Sequence, residues 1–250
     1  MLPIAGAAVL VALAGATVAG RAAADDRPAG EPATKNLVLG SGTKQPETME
    51  DFLTAVTEDV DRYWTDQFAA AGLGEPRVSY AWIPDGMTAA DVCGAQSPAD
   101  QVAAYCPNDD TIYISQQFAT DIYEGTLDSS LPGSSQGYGS THGDFAVAYI
   151  VAHEYAHQVQ DELGLFDRQD VPTMDFELQA DCYAGTWARS ESDAGRLEDG
   201  DEQEALDAAL AVGDFDESDP AHHGTPEQRE SAWRDGFDAG DPGACSGYVA

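Results

Sequence analysis

Residues 144–160 read DFAVAYIVAHEYAHQVQ and place a His-Glu-X-X-His motif inside an apolar helical pattern. The apolar residues recur at the spacing of one helical face, which predicts a helix with Asp144 as its N-cap. The residues of that face are Phe145, Ala148, Tyr149, Ala152 and Ala156. Because residues four apart on a helix project from the same side, we expect His153 and His157 to reach one ion.

The motif His153-Glu154-Tyr155-Ala156-His157 has the composition of a zinc site, since zinc readily accepts imidazole nitrogen in a tetrahedral shell. Zinc lowers the pKa of a bound water to about 7, and a glutamate next to the first histidine, here Glu154, is placed to take the released proton. The alternative is a pair of solvent-facing histidines on an ordinary helix. Against it, the helix is apolar, and all five histidines of the chain lie between positions 142 and 223.

A catalytic zinc needs a third protein ligand and an open fourth position. Glu177 and Asp181 lie four apart in a second helical stretch, and Glu177 follows His157 by twenty residues. We therefore expect Glu177 to bind the ion and Asp181 to accept the free ring N–H of a ligand histidine, His157 in the first instance. The spacing alone leaves open that Glu177 is a surface residue, or that His222 or His223 is the third ligand.

Further blocks accompany these residues along the chain. The long ones are residues 143–149 leading into 153–160, residues 177–185, and His223-Gly224-Thr225-Pro226-Glu227-Gln228-Arg229; the short ones are Cys93-Gly94, Cys106-Pro107, Ile112-Tyr113-Ile114, and Gly236-Phe237 with Gly240 and Cys245 after it. Together, over roughly residues 50–247, they resemble the putative neutral zinc metallopeptidase family of bacteria. Several blocks in the right order are more specific than the five-residue motif. The chain departs from the family in its long acidic, Gly- and Ser-rich loops.

The resemblance implies an α+β, zincin-like fold, in which a small sheet packs on the helix that carries HExxH and further helices follow toward the C-terminus. It implies a zinc ion held by His153, His157 and Glu177, which agrees with the spacing. In zincin-like folds an edge strand binds extended substrate by backbone pairing. By the same resemblance, Thr111–Ser115, which contains Tyr113, is the expected substrate strand.

The remaining histidines and Tyr155 are predicted to have roles other than metal binding. His223 is the candidate donor of a hydrogen bond to a developing oxyanion, and a structural role in the turn before Arg229 is the alternative. We expect His222 to be exposed to solvent and His142 to make a loop or helix-start contact. Tyr155 faces away from the histidine pair and is assigned to packing.

Around the motifs, hydrophobic patterning predicts four more helices and two strands. The helices are Thr48–Ala71, Thr173–Ala188, Asp201–Val212 and Pro226–Phe237, and the strands are Val78–Ile83 and Thr111–Ser115. Thr48 is expected to cap the first helix and Gly72 to stop it. Residues 84–110 are predicted as a loop, and residues 125–143, which are dense in Gly, Ser and Pro, as a mobile one.

Residues 2–20 carry no charge and are rich in Ala, Val, Leu and Gly. We expect residues 1–24 to be a secretory signal cleaved after Ala22-Ala23-Ala24, or a membrane anchor, although no Lys or Arg precedes the apolar run. A buried core helix is the weaker alternative, because residues 25–46 read as a flexible, charged and proline-containing linker. Residues 47–250 are predicted to form one enzyme domain, secreted or anchored at the outer face of the cell membrane.

Four cysteines, an even number in an exported chain, predict two disulfides, for which three pairings exist. Cys93 with Cys106 closes a short loop and is the expected pair, which leaves Cys182 with Cys245. A cysteine-ligated zinc is disfavoured, because no C-x-x-C spacing occurs.

The charge balance is strongly acidic, with 45 Asp and Glu against 11 Lys and Arg and a formal net charge of −34. A chain of this charge repels phosphate backbones and anionic membrane surfaces, which disfavours nucleic-acid binding. Solubility explains the acidity best. A Ca²⁺ role for Asp214, Asp216, Glu217 and Asp219 is the alternative, without EF-hand spacing to support it.

These observations favour a zinc-dependent endopeptidase that acts on peptides or proteins, with Glu154 as general base. Two other classes stay open. One is an inactive zincin-like binding domain at the cell surface, against which the intact Glu154 counts. The other is a protein with a structural zinc, which would have four protein ligands and no bound water.

Overall fold

The computed structural model describes residues 48–84, 102–168 and 170–249. Within these ranges it contains six α-helices and a three-stranded sheet, so the predicted α+β class is confirmed. The helices are α1 (Met49–Ala71), α2 (Gln116–Glu124), α3 (Asp144–Glu162), α4 (Thr173–Asp193), α5 (Asp201–Val212) and α6 (Pro226–Ala239), and the strands are β1 (Ser79–Ile83), β2 (Ala103–Cys106) and β3 (Thr111–Ser115).

Helix α3, which carries the HExxH motif, is the centre of the core. Every side chain from Phe145 to Gln160 is buried, because α1, α4, α5 and β2 all pack against this helix. A helix that is buried all round needs small or apolar residues on every side, and the alanines of α3 meet that need. The sequence pattern, which marks a single apolar face, underestimates this burial.

The sheet has the strand order β1-β3-β2. Strand β1 pairs in parallel with β3, and β2 pairs antiparallel with its other side, with Tyr105 opposite Ile112. The expectation that Thr111–Ser115 is an edge strand is therefore wrong, since β3 has a neighbour on each side. The strand that packs on α3 is mainly β2, in a stretch predicted as loop because Ala-Ala-Tyr-Cys lacks the β-branched residues typical of strands.

The ends of the helices agree with the sequence at α1 and differ at α3. Thr48 caps α1 by accepting a hydrogen bond from the N–H of Asp51 at 3.1 Å, and Gly72 ends the helix in a left-handed conformation. At α3 the N-cap is Gly143 rather than Asp144. The free N–H of Phe145 instead donates to Glu204 of α5 at 3.0 Å, so a tertiary contact replaces the local cap.

Two stretches after β3 are more ordered than predicted. Helix α2 was missed because it follows β3 without a loop: Ser115 ends the strand and also caps the helix, accepting from the N–H of Phe118 at 3.2 Å. The glycine-rich residues 125–143 pack on α5, where the N–H of Gly133 donates to the carbonyl of Ala211 at 2.9 Å. Close packing on the α5 backbone explains the density of glycine better than mobility does.

The disulfide between Cys182 and Cys245 is present, with a Cα–Cα distance of 5.7 Å. Cys106 is also disulfide-bonded, and its predicted partner Cys93 lies outside the described residues, as do the predicted signal or anchor at 1–24 and the linker at 25–46. Among the helices that the structure describes, none is long and apolar enough to cross a membrane.

Helices α4 and α6 approach closely through two glycines. A Cβ at Gly185 of α4 would lie 2.1 Å from the carbonyl oxygen of Trp233, and a Cβ at Gly236 of α6 would lie 1.9 Å from that of Cys182. Both neighbours are backbone atoms, which cannot move aside without shifting a helix. The two glycines therefore set the distance at which the side chains of α6 meet those of α4.

We expect Gly236→Ala to lower the free energy of unfolding by about 1–3 kcal/mol, because overpacking at a rigid contact outweighs the gain of up to about 1 kcal/mol in helix propensity. Urea denaturation followed by circular dichroism measures the change. Gly74→Ala is the control, since a Cβ there meets no atom within 4 Å. Equal stability of both variants would contradict the close α4–α6 contact.

Candidate metal centre

Three side chains converge in the interior with their ligand atoms facing one another. The Nε2 atoms of His153 and His157 are 3.2 Å apart. Oε2 of Glu177 lies 3.2 Å from Nε2 of His153, and Oε1 lies 3.5 Å from Nε2 of His157. All three side chains are buried. The predicted ligands are thus brought together by α3 and α4.

The spacing of these atoms fits a zinc ion. In a tetrahedral site with bonds of about 2.0–2.1 Å, neighbouring ligand atoms are separated by roughly 3.3–3.4 Å, close to the three distances found here. Oε1 of Glu177 is also buried without a hydrogen-bond partner, although buried carboxylate oxygens are almost always partnered. A cation among the three groups would satisfy this oxygen and the imidazole lone pairs together.

The other nitrogen of each ring has a different partner. Nδ1 of His153 lies 2.9 Å from Asp181, and Nδ1 of His157 lies 2.8 Å from Gln160. The expectation that Asp181 supports His157 is therefore wrong. Helix α4 runs back along α3, so one turn beyond Glu177 brings Asp181 to the earlier histidine. The direction of α4 relative to α3 decides which histidine Asp181 contacts. The spacing of residues along the sequence does not show this direction.

Arg229 and Tyr149 complete the surroundings of His153, and sequence reasoning missed both. Arg229 of α6 donates to the two oxygens of Asp181 at 2.8 and 2.9 Å. The hydroxyl of Tyr149 donates to Asp181 at 2.6 Å and lies 3.2 Å from Nη2 of Arg229. A signal existed in the sequence, because Arg229 closes the block 223–229 that resembles the family, in a chain with only 11 Lys and Arg.

The electrostatics of the centre favour a cation. Burial raises the pKa of Asp181, but Arg229 and His153 outweigh burial and hold it below its usual value. Burial likewise raises the pKa of Glu177, but the imidazoles of His157 and His153 hold it well below its usual value. Burial lowers the pKa of His153, yet the carboxylates of Asp181 and Glu177 raise it to about 9. The buried carboxylates thus stay ionised and attract positive charge.

Glu154 projects from α3 next to the first histidine and is buried. Its Oε2 atom accepts a hydrogen bond from the backbone N–H of Tyr105 in β2 at 2.9 Å. Burial raises the pKa of Glu154 above its usual value. A single backbone bond holds this carboxylate in place beside the metal ligands and ties the sheet to the centre.

His222 and His223 share the carboxylate of Asp214. His222 is only 6% exposed and bonds through Nδ1 to Asp214, so the expectation that it is solvent-exposed is wrong. His223 bonds through its backbone N–H to Asp214 at 2.8 Å, and its Nδ1 lies 3.2 Å from the same carboxylate. Neither histidine belongs to the three-residue metal cluster. Asp214 therefore orients both rings, which explains why neither is free.

The loop that contains these histidines lies beside the metal centre. Gly224 adopts φ +101°, which strains other residues, and a Cβ there would lie in tight contact with the side chains of Leu178, at 3.0 Å, and Arg229, at 3.4 Å. Leu178 directly follows Glu177 on α4. Gly224, the residue after His223, therefore contacts the helical turn that carries Glu177. The neighbouring carboxylates of Asp216 and Asp219 accept hydrogen bonds from N–H groups of the same loop, and so hold its turns.

Three other predicted residues lie apart from the metal cluster. Tyr113 packs on the second hydrophobic cluster of the sheet and donates its hydroxyl to Asp109 at 2.8 Å. His142 is exposed and lies 3.3 Å from the Ser140 hydroxyl, as a loop contact. Tyr155 is fully buried and donates to Asp61 of α1 at 2.6 Å, so its predicted packing role is confirmed.

Comparison with known proteins agrees with this geometry. The model of the family described as "Putative neutral zinc metallopeptidase" matches residues 7–248. An uncharacterized Escherichia coli K12 protein, YpfJ, is 32% identical over 243 residues, which covers 88% of this chain and 78% of YpfJ. An uncharacterized Mycobacterium tuberculosis H37Rv protein, Rv2575, is 36% identical over 172 residues, 58% of this chain and 55% of Rv2575. No solved structure matches the chain significantly.

Replacing Arg229 by Met is expected to destabilise the metal-free protein by about 3–5 kcal/mol, because Asp181 would remain buried without its counter-charge. Arg234→Met on the same helix is the matched control: Arg234 pairs with Glu230 at 3.0 Å at the surface, where a pair contributes about 0–1 kcal/mol. Urea denaturation in the presence of a chelator measures both changes. Equal effects of the two substitutions would contradict the assigned role of Arg229.

Proposed function

The chain belongs to the putative neutral zinc metallopeptidase family, and from this premise we propose that it is a zinc-dependent endopeptidase that hydrolyses peptide bonds. The observation that carries the proposal is the convergence of His153, His157 and Glu177 at 3.2–3.5 Å. Within the part of the chain that the structure describes, this cluster has three members. A fourth position left to water or substrate is the arrangement of catalytic zinc sites, whereas structural sites have four protein ligands.

A zinc ion held by these residues would supply Lewis-acid chemistry: it would acidify a water molecule and polarise the carbonyl of the scissile bond. Glu154 is the residue that moves the proton. Its Oε2 atom is fixed by the N–H of Tyr105, and its carboxylate takes the proton of the attacking water and later delivers it to the leaving amine. Its raised pKa brings the carboxylate closer to the basicity that this exchange requires.

The substrate strand of this proposal is β2 rather than β3. The N–H of Tyr105 points away from β3 and toward Glu154, and Ala103, two residues earlier, turns its backbone groups to the same side. The side of β2 opposite β3 therefore faces Glu154. We propose that an extended peptide binds along this side of β2, which would bring its scissile bond to Glu154.

His223 is the proposed oxyanion donor, and Asp214 is its positioning residue. Asp214 accepts hydrogen bonds from both the backbone N–H and Nδ1–H of His223. Nε2 is the remaining ring nitrogen, and it can donate to an oxyanion when the ring is an imidazolium. The ring is 21% exposed, in keeping with a side chain at the wall of a substrate cleft. A donor held in place before the reaction loses no energy to reorganisation when the oxyanion develops.

The place of action follows from the predicted export. We propose that the enzyme works outside the cytoplasm, either secreted or tethered through residues 2–20. The disulfide between Cys182 and Cys245 supports this setting, because such bonds persist in oxidising compartments. The substrate class is peptide or protein, and the negative charge of the chain disfavours nucleic acid as a partner.

We expect Glu154→Gln to retain zinc and to lose casein cleavage by about 10²–10⁴-fold or more, because the amide keeps the shape of the carboxylate but cannot take a proton. Zinc content is measured on purified protein, and cleavage is measured beside the parent with and without a chelator. The parent should lose activity with chelator and regain it with added zinc.

The same assay separates the other classes. A parent that binds zinc without cleaving casein or a peptide library is an inactive binding domain or a structural-zinc protein, and the peptidase proposal is then wrong. Comparable turnover by Glu154→Gln and the parent would remove Glu154 from the mechanism while leaving the zinc site intact.

His223→Ala is expected to lower kcat by about 10²–10³-fold with little change in KM, because its hydrogen bond forms with the transition state and not with the bound substrate. Steady-state kinetics on a peptide that the parent cleaves provide the measurement. His142→Ala is the control, since His142 is exposed and its ring lies 3.3 Å from the hydroxyl of Ser140 in the same loop. A parallel fall in both variants, or a change in KM alone, would argue against the oxyanion role.

A further inference from the structure

Two buried glutamines connect His157 to the C-terminal segment of the chain. Nδ1 of His157 lies 2.8 Å from Oε1 of Gln160. Nε2 of Gln160 donates to the carbonyl of Phe176 at 2.7 Å and to Oε1 of Gln179 at 3.1 Å. Nε2 of Gln179 donates to the carbonyl of Cys245 at 3.2 Å. We call Gln160 and Gln179 the glutamine relay.

The direction of every hydrogen bond in the glutamine relay is determined by its backbone partners. A carbonyl oxygen only accepts, so the atom of Gln179 that faces Cys245 is the amide NH₂, and its oxygen faces Gln160. The carbonyl oxygen of Phe176 and Oε1 of Gln179 both accept, so the amide NH₂ of Gln160 must face them. Oε1 of Gln160 therefore faces His157. Because that oxygen only accepts, Nδ1 of His157 carries the hydrogen, and Nε2 presents its lone pair to the metal centre.

The disulfide fixes the far end of the relay. Cys245 is bonded to Cys182, the residue after Asp181 on α4, and the side chain of Cys245 is fully buried. The carbonyl of Cys245, which accepts the hydrogen bond from Gln179, is therefore held against α4 by a covalent bond. Without that bond, the short 3-10 segment Pro242–Gly247 would keep only non-covalent contacts with the helix.

We infer that the glutamine relay, anchored by the Cys182–Cys245 disulfide, fixes the Nδ1–H tautomer and the orientation of His157 for metal binding. Gln160 and Gln179 are positioning residues in this arrangement, and the disulfide is part of the support of the metal centre. The inference rests on the proposed zinc site but not on peptide hydrolysis. It follows the general behaviour of ligand histidines, whose second nitrogen is held by a partner that sets the tautomer.

Zinc affinity, measured by competition with a chromophoric chelator, tests the inference directly. Gln160→Met and Gln179→Met are each expected to weaken zinc binding about 10–100-fold. The matched control is Gln158→Met on the same helix: Gln158 is equally buried, but its amide donates to the carbonyl of Arg77, away from the relay. Affinities for the relay variants within about twofold of the control would overturn the inference.

The disulfide is tested by the double substitution Cys182→Ala with Cys245→Ala. If the relay needs its covalent anchor, this variant should also bind zinc less tightly than the parent, by a factor comparable to that of Gln179→Met. Combining the double substitution with Gln179→Met should then add little, because both changes break the same chain of bonds. Fully additive losses would overturn the coupling between disulfide and relay.

Nitrogen-15 NMR of the histidine rings tests the tautomer even if a variant does not fold. In the parent, with or without zinc, Nδ1 of His157 should carry the hydrogen when the ring is neutral. A neutral ring with its hydrogen on Nε2 would overturn the inference. Zinc binding with the expected tautomer in a parent that cleaves no peptide would instead sink the proposed function alone, so the two failures are distinguishable.

Discussion

The burial of α3 is the constraint on which the rest of the structure depends. This helix carries two imidazoles and a carboxylate into the interior, where a polar group without a partner costs roughly 2–7 kcal/mol. These groups are met from two other elements: Glu177 and Asp181 of α4 face the imidazoles, and the N–H of Tyr105 in β2 bonds to the carboxylate. The packing around α3 is therefore decided by its polar residues as well as by its apolar ones.

Sequence reasoning succeeds here where the chemistry is local. The spacing of His153 and His157 on one helix, and of Glu177 and Asp181 on the next, is enough to nominate the cluster that the structure assembles. It fails where the answer depends on the direction of packing between elements. Helix direction decides which histidine faces Asp181, and strand order decides which strand packs on α3. Neither can be read from local patterns in a single sequence.

The fold also needed contacts from distant residues that carry no local signature. Glu204 caps α3 from another helix, which a reading of Asp144 as N-cap cannot anticipate. Strand β2 is too short and too rich in alanine to stand out by pattern, yet its Tyr105 donates the backbone hydrogen bond that holds Glu154. The core helices, with their long apolar repeats and glycine stops, were recognisable because their signals lie within a few turns of chain.

The two ligand histidines are supported by different chemistry, and charge explains the difference. His153 meets Asp181, whose charge is balanced by Arg229, whereas His157 meets the neutral amide of Gln160. A second carboxylate behind His157 would add a buried negative charge to a centre that already holds Glu154, Glu177 and Asp181, with Arg229 beside them. Neutral amides orient the ring without that cost, provided that the orientation of each amide is fixed. Here the backbone carbonyls of Phe176 and Cys245 fix it, and Cys245 is bound to α4 by its disulfide. If the glutamine relay orients His157 as proposed, docking of the C-terminal segment completes the support of this ring, and ion binding would then be thermodynamically linked to completion of the fold.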